Sequence, residues 1–543
     1  EGGIYQRRDY KMLGYDFRAT ASWNHVFNDI HITNFFAGTE INSTDRSKNY
    51  YQGWGMQYSM GEIPYYVYEF FKKGIEDGNN YYSLSQTRSR SAAFFANATY
   101  SYKGRYTVNG TARYEGTNRM GKSRSARWLP TWNVSGAWNA HEEKFFSNLT
   151  SVLSHFTLKA SYSLTADRGP ADVTNSQAII TSYSPYRPFT SIQESGLYIK
   201  ELENSELTYE KKHELNIGAD MGFLNNRINL AVDWYKRNNY DLIGIVNTQG
   251  AGGQILKYAN IASMKSHGIE FTLSTKNIKT KDFNWNTDFI FSNAKNEVTD
   301  LKQNANVMEL ISGNGFAKQG YPVRGLFSIP FVGLDKDGIP VIINEKGEAT
   351  STDINFQERQ NTGFLKYEGP TDPTITGSLG NMFSYKGFRL NLFITYSFGN
   401  VIRLNPVFKA YYSDLTAMTR EFKNRWTLPG DEAKTNVPAI LSKRMYDSNE
   451  DLKYAYNAYN YSTERIAKGD FIRLKEISLA YDFPKAWINP LKLTDLSLKV
   501  QATNLFLIYA DDKLNGQDPE FFNAGGVASP VPRQFTITLR LGL

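Results

Sequence analysis

From residue 94 onward the chain alternates with a period of two. Phe94, Ala96, Ala98, Tyr100 and Tyr102 are separated by Asn97, Thr99 and Ser101, and after Lys103-Gly104 the pattern returns. The second half reads Tyr106, Val108, Gly110, Ala112 and Tyr114 against Thr107, Asn109, Thr111 and Arg113. Successive strand side chains point to opposite faces, so this hairpin has one greasy face and one wet face. A soluble sandwich would produce the same alternation, with the greasy face turned into a core. Length separates the two readings. Segments of about 9–13 residues suit a tilted membrane span and exceed the usual strand of a globular sheet.

Fifteen segments read this way, at about 13–23, 29–41, 93–102, 105–115, 131–139, 155–164, 212–222, 227–238, 267–275, 283–295, 374–385, 388–399, 470–481, 494–504 and 533–543. Short connectors such as Lys103-Gly104, Phe223–Asn226 and Lys386-Gly387 alternate with long ones at 42–92, 116–130, 165–211, 239–266, 296–373, 400–469 and 505–532. Long structureless loops are uncommon in compact domains, so seven of them need one explanation. An outer-membrane barrel supplies it, with short turns in the periplasm and long loops outside. The expected fold is therefore all-β, a transmembrane antiparallel β-barrel. An odd strand number does not close in the usual bacterial way, so further strands are expected from elsewhere.

Composition bears on this reading at four points. No run approaches the ~20 apolar residues of a helical span, and the mean hydropathy of −0.49 is uninformative for a wall that hides its apolar half by alternation. The 36 Tyr, 34 Phe and 9 Trp suit two aromatic girdles at the membrane interfaces. Cysteine is absent, which excludes disulfides and thiolate metal sites. The net charge of +7 is scattered rather than gathered in a stripe, so nucleic acid is not an expected partner.

The wet face is expected to line a hydrated bore: Arg389, Asn391, Thr395 and Ser397 oppose Leu390, Leu392, Ile394, Tyr396 and Phe398, and Lys499 opposes Leu498 and Val500. Replacing Leu392 or Ile394 by Arg should therefore impair assembly, and Ser397→Arg should not.

Ordered short motifs extend this reading. Asn204-Ser205-Glu206-Leu207-Thr208-Tyr209-Glu210-Lys211, Asn216-Ile217-Gly218-Ala219-Asp220, Asn226-Arg227-Ile228 and Asp233-Trp234-Tyr235 come first. Asn260-Ile261, Gly268-Ile269-Glu270, Gly320-Tyr321-Pro322, Gly333-Leu334-Asp335, Gly369-Pro370 and Asp372-Pro373 follow. Phe471-Ile472-Arg473-Leu474-Lys475, Asn504-Leu505-Phe506 and Gly516-Gln517-Asp518-Pro519-Glu520 close the series. In this order they resemble the SusC/RagA family of TonB-dependent outer-membrane transporters.

The resemblance implies a barrel of roughly 22 strands plugged by an N-terminal domain. It also implies import of oligosaccharides or oligopeptides beneath a SusD-like surface lipoprotein, powered by TonB-ExbB-ExbD, with no enzymatic step and no cofactor. Residues 1–543 would then be the C-terminal part of the barrel. The plug, the TonB box and the first seven or so strands would lie outside this chain, as a separate polypeptide or a preceding part of the same protein. Outer-membrane lipid and lipopolysaccharide would surround it. The alternative is an outer-membrane scaffold subunit that uses the same barrel without transport.

Candidate chemistry is sparse. Gly116-Thr117-Asn118-Arg119-Met120-Gly121-Lys122-Ser123 satisfies the phosphate-loop pattern, but the chain behind it leads into a strand rather than the required long helix. The segment Arg113-Tyr114-Glu115-Gly116 with Arg127-Trp128-Leu129-Pro130 instead resembles a loop of the same transporter family. The six His form no metal-binding spacing, and His141-Glu142-Glu143 reads as a solvated turn. Asp335-Lys336-Asp337-Gly338 opens like a calcium loop but has Lys346 where the closing acid belongs, so a hairpin turn is expected. Aromatic loop residues remain as candidate ligand or lid contacts: Trp54, Tyr58, Tyr65 and Tyr66 in the first long loop, and Tyr454, Tyr456 and Tyr459 in the sixth. Their flat faces can stack on sugar rings or hold apolar peptide groups.

Overall fold

The computed structural model describes residues 3–65, 67–169, 178–183, 195–247, 256–412, 419–522 and 530–543. Fifteen long strands form one sheet in strict chain order. They are β1 (Gly3–Phe27), β2 (His31–Gln57), β3 (Tyr82–Tyr102), β4 (Tyr106–Thr117), β5 (Trp128–Asn139), β6 (Leu153–Asp167), β7 (Glu210–Phe223) and β8 (Ile228–Asn247). The order continues through β9 (Leu256–Lys279), β10 (Phe283–Leu301), β11 (Ile375–Tyr385), β12 (Phe388–Phe398), β13 (Phe471–Asp482), β14 (Asp495–Ala510) and β15 (Gln534–Gly542). A two-residue strand, Ile63–Pro64, adds to the end of β2. No helix among the described residues is long and apolar enough to cross a membrane, which does not bear on a strand barrel.

The chain divides into two compact units. One comprises Glu1–Gly136, Ser161–Glu214 and Asn239–Ala262. There the first three strands are much longer than the alternation marks: β1 pairs with β2 down to Met56, and β2 with β3 out to Tyr82. Residues 42–57 and 82–91, expected as loop, are ladder. The apolar signal stops at about Ile41 because both faces are wet beyond it, and polar cross-strand contacts take over. Arg90 meets Asp45 at 2.7 Å, and Arg8 and Lys48 sit over the rings of Tyr50 and Tyr10. The tip is closed by helix α1 (Tyr68–Glu76).

The tight turns follow from their residues. Lys103 and Gly104 both have positive φ (53° and 69°), as do Lys386 and Gly387 (44° and 89°), the geometry that matches strand twist in two-residue hairpins.

The second unit holds Ala137–Ala160, Leu215–Asn238 and Ser263–Leu543. Across β12–β15 the residues Leu390, Leu479, Val500 and Ile537 fall in one row, and the last three are 48%, 48% and 75% exposed. Ion pairs occupy the opposite face, Arg389 with Asp482 at 2.8 Å and Lys499 with Glu476 at 3.9 Å. A greasy exposed face backed by a charged one is the inverse of a soluble sheet, and it is the facing the alternation predicts.

The long connectors 296–373 and 400–469 are not loose loops. They fold together around two apolar cores, one including Val307, Leu310, Phe327, Ile342 and Ala458, the other Ile339, Phe408, Phe422 and Leu441. Helix α2 (Leu452–Asn460) buries Ala455, Tyr456 and Tyr459 in the second core and Ala458 in the first. Its short length and mixed composition hide its periodicity in the sequence.

Candidate functional site

Of the first aromatic group, Trp54 packs on α1. Trp54 belongs to β2 rather than to a loop, and its ring meets Phe71 of α1 edge-on at 5.2 Å. Gly74 is glycine for a steric reason, since a Cβ there would come within 2.7 Å of the Trp54 ring. Trp54, Phe70, Lys73, Asp77 and Asn79 line a cleft of about 310 Å³, an aromatic face with a polar rim. Tyr58 is 52% exposed, and its hydroxyl donates to the Ile4 carbonyl at 2.9 Å. Tyr65 is 64% exposed. Tyr66 lies outside the described residues.

The second group splits. Tyr454 is on the open side of α2, 40% exposed with the Lys453 ammonium over its ring. Tyr456 and Tyr459 are corrected as contacts: both are 2% exposed and belong to the core. The Tyr456 hydroxyl donates to Ala439 O at 2.6 Å, the Tyr459 ring packs edge-on against Phe331 and Phe408, and burial pushes both phenols up.

Buried arginines hold this outer body together. Arg403 donates to Ser462 O at 2.8 Å, Phe327 O at 2.5 Å and Ser328 Oγ at 3.1 Å. Burial lowers its guanidinium to about 9, so it stays charged at neutral pH. Arg465 grips Glu421 at 2.5 Å and covers the Phe408 ring.

Three sequence motifs meet at one place. Arg473 of β13 makes two contacts to Asp518, at 2.5 and 2.6 Å, and reaches Glu520 at 3.4 Å. Arg473, Asn504, Phe506, Gln517, Asp518 and Phe521 border a cavity of about 610 Å³. The sequence showed each motif but not that they converge, because the pairing spans 45 residues and carries no local period.

The two suspected ion loops are explained without ions. In the phosphate-loop look-alike, Met120 is fully buried and Gly121 N donates to Leu207 O at 2.9 Å, so that backbone is already bonded. The helix behind it, Arg124–Arg127, is one turn, capped by Ser123. Asp335 Oδ1 accepts from the amides of Asp337 and Ile339, both at 2.9 Å, and closes the hairpin between Phe331–Leu334 and Pro340–Ile343. No cluster of three metal-ligating side chains occurs among the described residues.

Residues 3–505 match the family described as TonB dependent receptor-like, beta-barrel. Over its whole length the chain is 26% identical to the TonB-dependent receptor P39 of Formosa agariphila, covering 54% of that protein. It is also 26% identical, over 87% of its length, to the TonB-dependent receptor SusC of Bacteroides thetaiotaomicron, covering 47% of it. The fold is similar to the structure of the RagAB peptide transporter, with a TM-score of 0.77 and 21% identity over 99% of this chain and 56% of that one. The chain thus spans about half the length of the curated relatives it matches.

Proposed function

This chain belongs to the TonB-dependent receptor β-barrel family of the bacterial outer membrane, and on that footing we propose that it supplies the wall and outer loops of a SusC-like nutrient importer. The cargo is an oligosaccharide or an oligopeptide, captured with a SusD-like surface lipoprotein and drawn inward by TonB-ExbB-ExbD. The observation that carries this reading is the two-faced wall: greasy outward rows and an ion-paired bore face, in a sheet whose fold is that of the family. Strands β1 and β15 each have one neighbour in the sheet order, and an open edge is not tolerated in lipid. Closure therefore calls for further strands, and the half-length match to the relatives fits their being about seven, together with a plug.

Within this reading Tyr58, Tyr65 and Tyr454 are cargo or lid contacts because their rings stay exposed, and Trp54 is one through the cleft it lines. No bond is made or broken in the cargo, and specificity resides in these contacts. The test is uptake of fluorescently labelled oligosaccharides and oligopeptides by cells lacking the full-length protein. Uptake is expected to fall to background and to return with the unaltered gene. Trp54→Ala with Tyr65→Ala should restore it only with a raised half-saturation concentration. Undiminished uptake in the deletion strain, with loss of a co-purifying surface lipoprotein from the membrane, would instead establish the scaffold role.

A further inference from the structure

One side-chain network sits on the wrong side of the wall. In β10 and β11 the register pairs Trp285 with Phe383, Thr287 with Asn381 and Phe289 with Leu379. Asn381 in turn lies opposite Leu392 of β12, in the outward row with Leu390 and Ile394. Thr287 and Asn381 therefore point to lipid, not to the bore.

They are joined there by a continuous set of hydrogen bonds. Trp285 Nε1 donates to Asn381 Oδ1 at 2.9 Å, and Thr287 Oγ1 donates to the same oxygen at 2.7 Å. Asn277 Nδ2 donates to Thr287 Oγ1 at 2.7 Å, and Thr275 Oγ1 donates to Asn277 Oδ1 at 2.8 Å. The indole can only donate, so it fixes the Asn381 amide with oxygen inward to the network. The Asn381 Nδ2 group is left facing out, and it has no hydrogen-bond partner among the described residues.

Depth identifies what that group meets. Asn381 is the third outward position from the Lys386-Gly387 turn, after Tyr385 and Phe383. At ~3.4 Å per residue and a ~40° strand tilt it stands roughly 5 Å inside the level of the Trp285–Phe383 pair, near the periplasmic edge of a ~25 Å band. Aromatics mark the interface just below: Trp285 stacks on Phe383 at 5.6 Å and Phe388 meets Tyr481 at 4.4 Å. Just inside such a girdle lie the ester carbonyls of inner-leaflet phospholipid, which accept hydrogen bonds and donate none. A polar group at this depth is costly without a partner, and the acyl chains offer none.

We propose that Asn381, held by Trp285 and Thr287, binds an inner-leaflet phospholipid through an acyl ester carbonyl. The membrane interface marked by the girdle is continuous with this patch, which favours lipid over a second protein. The test uses the full-length protein in a phosphate-free detergent, titrated with dioleoyl phosphatidylethanolamine or with its diether analogue, which lacks the carbonyls. Native mass spectrometry reads the first bound lipid. The unaltered protein should bind the diester roughly three- to tenfold more tightly, the worth of one hydrogen bond in this setting. Asn381→Leu should erase that preference, and Ile537→Val, remote on the same face, should keep it. Equal affinity of the unaltered protein for the two lipids would overturn the proposal without any variant. So would an Asn381→Leu protein that keeps the preference while an oligomer dissociates, which would assign the amide to a second copy.

Discussion

At the scale of single residues, what a side chain does in the outer body depends on contacts its neighbours in sequence do not reveal. Tyr454 and Tyr456 are two positions apart, and one faces out while the other is core. Asp431 is an acid whose role is entirely local. Its Oδ2 accepts from Leu428 N at 3.0 Å, Thr427 N at 3.2 Å and Thr427 Oγ1 at 3.0 Å, and these bonds hold its pKa below the usual carboxylate value. A depressed folded pKa stabilises the loop above the unfolded value, about 3.9, and the contribution disappears as pH falls through the folded value. Hydrogen exchange at Thr427 and Leu428, corrected for intrinsic pH dependence, should therefore accelerate below about pH 4. Asp431→Asn should remove the pH step while exchange at pH 7 rises. An unchanged profile in the variant would show that another group titrates there. Trp426, whose indole donates to Glu432 at 2.9 Å, anchors the other side of the same turn.

At the scale of elements, legibility follows the physics of each segment. The fifteen strands were readable because a wall between lipid and water forces a period of two, and their order in the sheet is the order of the alternating segments. The outer stretches of β1, β2 and β3, more than half of β2 among them, were not readable, because a ladder wet on both faces needs no apolar alternation. Nor was the folding of 296–373 with 400–469 readable, since its cores draw single residues from distant stretches. For the candidate site, the sequence supplied Trp54 and the motif residues, whereas burial of Tyr456 and the meeting of Arg473 with Asp518 are tertiary facts. That pair joins a wall strand to the segment 511–522, with both side chains below a tenth exposed. Removing one partner of such a pair leaves a buried charge and costs about 3–5 kcal/mol. Arg473→Ala should thus expose 511–522 to limited proteolysis while the sheet stays folded, and Asp518→Asn, which keeps one acceptor, should do so less. Equal protection in all three proteins would mean that the pair does not hold the segment.

At the scale of the whole molecule, the claim that matters is which face meets lipid, and it can be tested without knowing the cargo. Leu392 lies in the outward row opposite Asn381 and Ile477, whereas Thr376, opposite Ser397, lies on the other face. An arginine on the lipid face costs ~2–4 kcal/mol at the bilayer midplane and less towards the interface, so Ile394, two residues deeper than Leu392, should suffer more, and a hydrated bore tolerates the charge. The structure alters the choice of control, because Ser397 is only 8% exposed and an arginine there would meet neighbouring side chains before water. Thr376 is exposed, so Thr376→Arg is the clean bore substitution. In full-length protein, Leu392→Arg or Ile394→Arg should lower the yield of heat-modifiable, membrane-inserted barrel several-fold, while Thr376→Arg should assemble as the unaltered protein does. If the two faces tolerated arginine alike, the greasy row would have no lipid to meet. If Thr376→Arg alone were harmful, the bore and the outer skin would have to be exchanged, and with them the placement of every ion pair on this wall.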